Sequence, residues 1–526
     1  MASSTTDPAY LSAVEALTAF RRLELSPLEV LDAQIARIET HNGATDTGIN
    51  AFTETLFDDA RSAARRAADT YARCAAAGQQ PPALLGLTVA TKEKHGIAGL
   101  RLEQGLPAKR GQLADHDHPV VERIKAAGGI IHARTTSPEF SCATVTHSPM
   151  WGVTRNPWKL QASPGGSSGG AGAALAAGFT TLATASDIAG STRIPAGFTG
   201  TVGYKAPYGR IPGLPPLSAD WYRGDGPMGR TVADVALLTS VISGRHPIDH
   251  DSWGPTGELI PLEGGAEGLR IGVSLRLGDF PVAPEIIQNT RTIADALAAA
   301  GAEIVEMELP WTTALIRETI FAHFGHILGP AVARETAGYE AESAAYMRQF
   351  LIDTAAAAQR YSLVDSLAMD ARIRGDLATA MTGLDALLCP TSAVTSLRAD
   401  GEYLDGIDVP GGHLQHYWEC HLTTPFNVAN HCPVVALPSG LSGEGVPTSV
   451  QVAGHPRDEA MTYRVARAVE SVNGFRLSGS PGAMTSLRRD QISGDHDRPR
   501  WASTPGERTT TLRHSAICAG DADRTG

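Results

Sequence analysis

Residues 161–206 constrain this chain more than any other stretch. The segment is rich in small residues and carries Gly165-Gly166-Ser167-Ser168-Gly169-Gly170, followed by the alanine-rich run 171–177. Glycine and serine favour turns and alanine favours helix, so the segment reads as a tight turn feeding a helix. That arrangement leaves backbone N–H groups at a helix N-terminus without intrahelical partners. A phosphate cradle of the GxxxxGK type would need a lysine after the second glycine pair, and none follows. Gly165–Gly169 also fits GxSxG, but a nucleophile elbow requires a strand directly before its serine. Here Ser163-Pro164-Gly165-Gly166 precedes it, which is loop chemistry. A glycine turn with no chemistry is the remaining reading of the segment taken alone.

The surrounding pattern is one of alternating strands and helices. Residues 9–41 read as two helices, the second opened by Ser26 as N-cap and Pro27 as first helical residue. A further helix is expected over 58–74, a strand over 84–90, a helix over 120–127 and a strand over 130–133. Later strands are expected at 269–273, 302–307, 385–390 and 434–438. Helices are expected at 283–300, through most of 313–380, and at 458–472. This alternation predicts an α/β architecture.

Composition narrows the class further. The 526 residues hold 44 Lys+Arg against 56 Asp+Glu, a net charge of −12, which argues against a nucleic-acid partner. No run of about 18 apolar residues occurs, so no membrane helix is expected. The N-terminus lacks a basic region followed by an apolar one, which predicts a cytoplasmic protein. Six cysteines are widely spaced with no CxxC, and read as reduced thiols. From residue 484 to 526 the chain is polar, with seven Arg against six acids, and reads as a disordered tail.

Two more segments give the glycine–serine turn a meaning. Gly86-Leu87-Thr88-Val89-Ala90-Thr91-Lys92 is a strand-like run ending in lysine, and Ser186-Asp187-Ile188-Ala189-Gly190-Ser191-Thr192-Arg193-Ile194-Pro195 places a serine after small and turn residues. With the turn at 165–170, these resemble the amidase signature family. Flanking matches are Ser137-Pro138-Glu139-Phe140, Gly152-Val153-Thr154-Arg155-Asn156-Pro157-Trp158 and Gly200-Thr201-Val202-Gly203-Tyr204-Lys205. Others are Gly226-Pro227-Met228-Gly229-Arg230-Thr231-Val232-Ala233-Asp234, Pro425-Phe426-Asn427 and Gln451-Val452-Ala453-Gly454. The resemblance is densest over 84–240 and extends from helices at about 9–75 to about residue 475, so residues 1–483 are expected to form the amidase signature domain. It implies one α/β domain, a large mixed twisted sheet with helices on both sides.

Amide hydrolysis needs a nucleophile, a base, an acid for the leaving amine and donors for the oxyanion. No histidine sits in a recognisable hydrolase motif, but a buried lysine can be neutral enough to serve as base. By resemblance, Ser191 is the nucleophile, Ser167 the proton relay and Lys92 the base, with a cis bond expected between Gly166 and Ser167. The backbone N–H groups of Ile188, Ala189, Gly190 and Ser191 would surround the oxyanion, and Ser141 would contact substrate. Ser168, Asp187 and Arg193 would brace the loops. No metal and no cofactor are implied. The substrate would be a small carboxamide cleaved to acid and amine, and relatives are commonly homodimers. The alternative within the family is the glutamine-hydrolysing subunit of a tRNA-dependent amidotransferase.

The sequence departs from the family pattern at several points. Glu93-Lys94 follows Lys92 where Asp-Asn is common, Ser186 stands where Thr is usual, and Ala189 replaces a common Gly. Lys205-Ala206-Pro207 replaces Lys-Pro-Thr. Lys94 competes with Lys92, since positions two apart share a strand face; the spacing from Gly86 selects Lys92. Asp115-His116-Asp117-His118 reads as a surface loop, with Asp117 capping the next helix. His413, His416, Tyr417, Trp418 and Cys420, like Trp221 and Tyr222, are expected in the core or along a cleft.

Overall fold

The computed structural model describes residues 7–410, 412–475 and 477, so the tail expected after residue 484 lies outside the described residues. Eleven strands form one mixed sheet. In chain order they are β1 (Phe52–Thr55), β2 (Thr88–Lys92), β3 (Ile130–Thr135), β4 (Leu182–Asp187), β5 (Val202–Lys205) and β6 (Gly224–Gly229). The remainder are β7 (Arg270–Val273), β8 (Glu303–Glu306), β9 (Ala386–Pro390), β10 (Val434–Leu441) and β11 (Pro447–Gly454). Their spatial order is β1-β3-β2-β4-β6-β5-β10-β11-β9-β7-β8. β3, β2 and β4 run parallel, as do β9, β7 and β8. The stretch from β4 through β9 is antiparallel.

Strand periodicity splits the core in two. Alternate residues of a strand face opposite sides of the sheet. Ala386 and Leu388 enter one apolar cluster while Leu387 and Cys389 enter the other. Val450 and Val452 join the first cluster and Ala453 the second. Helices Ala13–Arg21, Val232–Ile242 and Glu459–Val472 cover one side; Thr313–His326, Ala345–Arg360 and Leu363–Ala380 cover the other. Continuous apolar strands covered on both faces are what the run-like pattern at 385–390 and 434–438 anticipates.

Local signals account for several boundaries. Ser26 caps helix Pro27–His41 through a reciprocal capping box with Glu29, and Pro27 occupies the first turn. β2 begins at Thr88, four residues later than the expected start, because Leu84 and Leu85 lie in a turn. β6 has no strand signature: its sequence, Gly-Asp-Gly-Pro-Met-Gly, reads as a turn. A Cβ on Gly226 would overlap the Tyr204 carbonyl oxygen, so tertiary packing sets the residue there.

Candidate active site

The adjacent parallel strands β2 and β4 both end at the same edge of the sheet, where α/β folds place their ligand sites. Lys92 is the last residue of β2. Ser167 and Ser168 immediately precede the buried helix Gly169–Ala176, and Ser191 lies in the loop between β4 and the helix Arg193–Thr199. The Gly166–Ser167 peptide bond is cis.

Lys92 is 0% exposed and its side-chain nitrogen has three hydroxyl neighbours. Nζ lies 2.7 Å from Ser167 Oγ, 3.0 Å from Ser168 Oγ and 3.1 Å from Ser186 Oγ. A neutral amine has two N–H bonds and one lone pair, which matches three hydroxyls provided one of them donates. Burial drives the Lys92 pKa well below the ordinary lysine value, and the cations Lys94 and Arg223 push the same way. Asp225 and Asp187 oppose the shift without reversing it. Sequence reasoning missed Ser186 as a neighbour of the lysine; its position at the end of β4 was the available signal.

Ser191 differs from its neighbours in access. It is 9% exposed, whereas Ser167 and Ser168 are 0% exposed. A small cleft brings Ser141, Ser167 and Ser191 together with Phe140, Ile188 and Arg223. Phe140 and Ser141 both have positive φ, so this wall turns sharply toward the cleft.

The loop carrying Ser191 is held by Asp187 and Arg193. Arg193 is fully buried and grips Asp187 with Nε and Nη2 at 3.0 and 2.9 Å. Its remaining donors reach the Thr423 carbonyl, Gln451 Oε1 and Asn427 Oδ1 at 2.9, 2.8 and 2.7 Å. Asn427 and Gln451 belong to two of the flanking sequence matches, which thereby acquire a structural reason. Burial raises the Asp187 pKa, but Arg193 overrides it and holds the carboxyl well below its usual value.

Asp187 also accepts the Gly190 N–H at 2.7 Å and the Thr192 N–H at 3.2 Å. The Gly190 amide therefore donates to the carboxylate, which leaves the amides of Ile188, Ala189 and Ser191 from the expected oxyanion set without that partner. Gly190 has φ +120°, and a Cβ there would overlap Thr423 Oγ1. Both conditions require glycine. Ala189 tolerates its methyl group without loss of burial.

The two-lysine ambiguity resolves because β2 ends at Lys92 and the chain turns. Lys94 Nζ pairs with Asp225 Oδ1 at 2.9 Å instead. His95 and His118 complete that cluster, their Nε2 atoms 3.0 and 3.4 Å from the two oxygens of Asp225. The reading of 115–118 as a surface loop needs correction at His118. This residue is buried and itself caps helix Pro119–Ala126, while Asp117 pairs with Lys125 at 2.7 Å. His95, His118 and Asp225 are near enough together to hold an ion, but any cation would have to displace the Lys94 ammonium. Tyr417, Trp418, Cys420 and Tyr222 pack in the core, and His413 is exposed and bonded to Asp408.

Comparisons with known proteins show the family and the fold. The family model described as Amidase matches residues 29–463. An acylamidase of Rhodococcus erythropolis is 33% identical over 478 residues, covering 88% of this chain and 95% of that protein. A glutamyl-tRNA(Gln) amidotransferase subunit of Synechococcus sp. is 32% identical over 478 residues, covering 85% and 93%. Among solved structures, 6-aminohexanoate cyclic dimer hydrolase complexed with substrate is 27% identical, with a TM-score of 0.76, covering 90% of this chain and 99% of that one. A bacterial aryl acylamidase shares the fold at a TM-score of 0.79 and 23% identity, covering 89% and 97%.

Proposed function

Because the chain belongs to the amidase signature family and is a hydrolase acting on amides, we propose that it cleaves the C–N bond of a small carboxamide through Ser191, Ser167 and Lys92. The observation that carries this reading is the buried Lys92 amine, 2.7 Å from the hydroxyl of Ser167, in a cleft that Ser167 shares with Ser191. A lysine kept neutral by burial can take the Ser167 proton as Ser167 takes that of Ser191. Ser191 Oγ then attacks the amide carbonyl. The amides of Ile188, Ala189 and Ser191 receive the developing oxyanion, where a well-placed donor is worth about 3–4 kcal/mol. Ser167 returns its proton to the departing amine. Water attacks the acyl-enzyme by the same route in reverse, which restores Ser191 and releases the acid.

Ser168 and Ser186 hold the lysine, and Asp187 with Arg193 holds the loop. Ser168 N also donates to the Ser191 carbonyl at 3.1 Å, which ties the two serine segments together. The similarity to glutamyl-tRNA(Gln) amidotransferase subunits keeps glutamine hydrolysis as a second reading. Ammonia release from aliphatic, aromatic and amino-acid amides, glutamine included, tests both. Activity on simple amides that Ser191→Ala and Lys92→Ala abolish supports the first reading. Turnover confined to glutamine supports the second, and activity that survives Ser191→Ala contradicts both.

A further inference from the structure

Among the described residues, every cation lining the reaction cleft or the larger cavity beside it has an anionic partner except one. Lys94 is paired with Asp225, and Lys109 with Glu335 at 2.6 Å. Arg334 reaches the same Glu335 at 3.6 Å, and Arg193, behind the cleft, is paired with Asp187. Arg223 is different. It lines the cleft with Ser167 and Ser191, and also lines the adjoining cavity. Its backbone is pinned on both sides: its N–H donates to the Asp220 carbonyl at 2.9 Å, and its carbonyl accepts from Asn430 Nδ2 at 3.2 Å. Among the described residues its guanidinium makes no hydrogen bond or ion pair, and Nε is buried without a partner.

Among the described residues no carboxylate pairs with it, although Asp220 Oδ2 is itself buried without a hydrogen bond. Asp225 Oδ1 accepts from Lys94, and its two oxygens lie 3.0 and 3.4 Å from the Nε2 atoms of His95 and His118. Those of Asp187 are taken by Arg193, Asn427 and two backbone amides. Those of Asp249 accept from the backbone of Gly213 and Asp251. A half-buried guanidinium with an unsatisfied donor, facing the cleft that holds the reacting serines, lacks a planar anion with two acceptor atoms. The apolar walls from Phe140, Ile188 and Leu328 would strengthen such a pair by excluding water.

We propose that Arg223 receives a carboxylate of the substrate, so that the enzyme favours amides carrying a second, ionised carboxyl group, such as the monoamides of dicarboxylic acids. This inference rests on the reading of the cleft as the amide-cleaving centre. The carboxylate binds in the fork of Arg223 while the amide carbonyl sits against Ser191. The chemistry at the amide is unchanged; the arginine supplies orientation and selectivity.

The test compares matched pairs in which an acetyl group replaces the carboxylate: succinamate against 4-oxopentanamide, and glutaramate against 5-oxohexanamide. Ammonia release gives kcat/KM for each. The wild type should favour the anionic member by about tenfold or more, as expected for a charge-assisted bidentate pair, and Arg223→Gln should reduce that ratio by about the same factor, with Arg223→Lys between them. The ratio cancels any effect of the arginine's charge on Lys92, which both substrates share. Succinate binding followed by calorimetry reads the same site without turnover, and should weaken about tenfold in Arg223→Gln. A wild type that prefers the neutral members, a ratio unmoved by Arg223→Gln, or succinate binding that the substitution leaves intact overturns the inference while the amidase reading stands. Hydrolysis of either pair by Ser191→Ala would instead overturn the amidase reading itself.

Discussion

The Lys92 amine and the Ser167 hydroxyl lie 2.7 Å apart, and neither residue has any exposed surface. The same amine is 3.0 Å from Ser168 Oγ, so distance alone does not separate the two serines. Position does: Ser167 lines the cleft with Ser191, and Ser168 does not. Ser167→Ala should therefore lower kcat by about 10³-fold or more, as loss of a proton-transfer group in a coupled set does. Ser168→Ala should cost about tenfold, through a less well-held lysine. Steady-state kinetics on one amide decide it, and equal losses in the two variants would contradict the division of roles.

The pH profile should respond to Lys94. The base must be neutral, so the rate falls as pH drops through the Lys92 pKa. After burial, the cation of Lys94 is the strongest influence holding that value down, with Arg223 adding to it and Asp225 and Asp187 opposing. Lys94→Met removes a repulsion against protonated Lys92. Its pKa rises, and the rising limb of the kcat/KM profile moves to higher pH. A limb that stays in place or moves toward acid would show that Lys94 does not act on the base.

Lys92 should also cost stability at neutral pH. In the unfolded chain a lysine titrates near about 10.4. In the folded chain its value is far lower. Between the two values the unfolded state holds one more proton than the folded state, so this group makes stability rise with pH across that window. Lys92→Met removes that contribution. The variant should be inactive yet melt no lower than wild type at pH 7, with a flatter dependence of Tm on pH toward 10. A loss of several degrees would show that the three serine hydroxyls depend on the amine more than the burial cost outweighs.

Arg193 should reverse the acid response of the Ser191 loop. With Arg193 present, the Asp187 carboxyl stays ionised to strongly acid pH, and its contribution is lost only as pH falls through that lowered value. Arg193→Ala leaves a buried carboxylate without its cation, at a cost of about 3–5 kcal/mol. Burial then raises the Asp187 pKa, so protonation relieves the variant and its deficit against wild type shrinks as pH falls below neutral. Chemical denaturation at pH 7 and pH 5 reads the two deficits; a deficit that grows on acidification would contradict the pairing.

How far the site is legible in the sequence depends on where its information resides. The serines, Lys92 and Arg193 lie within short motifs, and it is the resemblance of those motifs to the family's that singles them out. The loop itself needs partners 230 or more residues away, since Arg193 is held by Thr423, Asn427 and Gln451. Gly190 illustrates the limit from the other side. The sequence shows a glycine in the loop expected to receive the oxyanion, but only the fold shows its amide bound to Asp187 and its Cα against Thr423. β6 is unreadable because local turn propensity is overridden by the close approach of Tyr204. His118 reads as surface for a related reason. Its burial is set by Asp225, more than a hundred residues away, and not by the acidic residues beside it.

Identifying the residue that becomes acylated tests the central claim most directly. Wild type and Ser191→Ala are mixed with an activated aryl ester or anilide, quenched in acid during turnover, and mapped by peptide mass spectrometry. The acyl mass should appear on the peptide carrying Ser191, at that residue, and be absent from the Ser191→Ala protein along with amide hydrolysis. An acyl group on Ser167 or on any other residue, or turnover that persists in Ser191→Ala, would contradict the account.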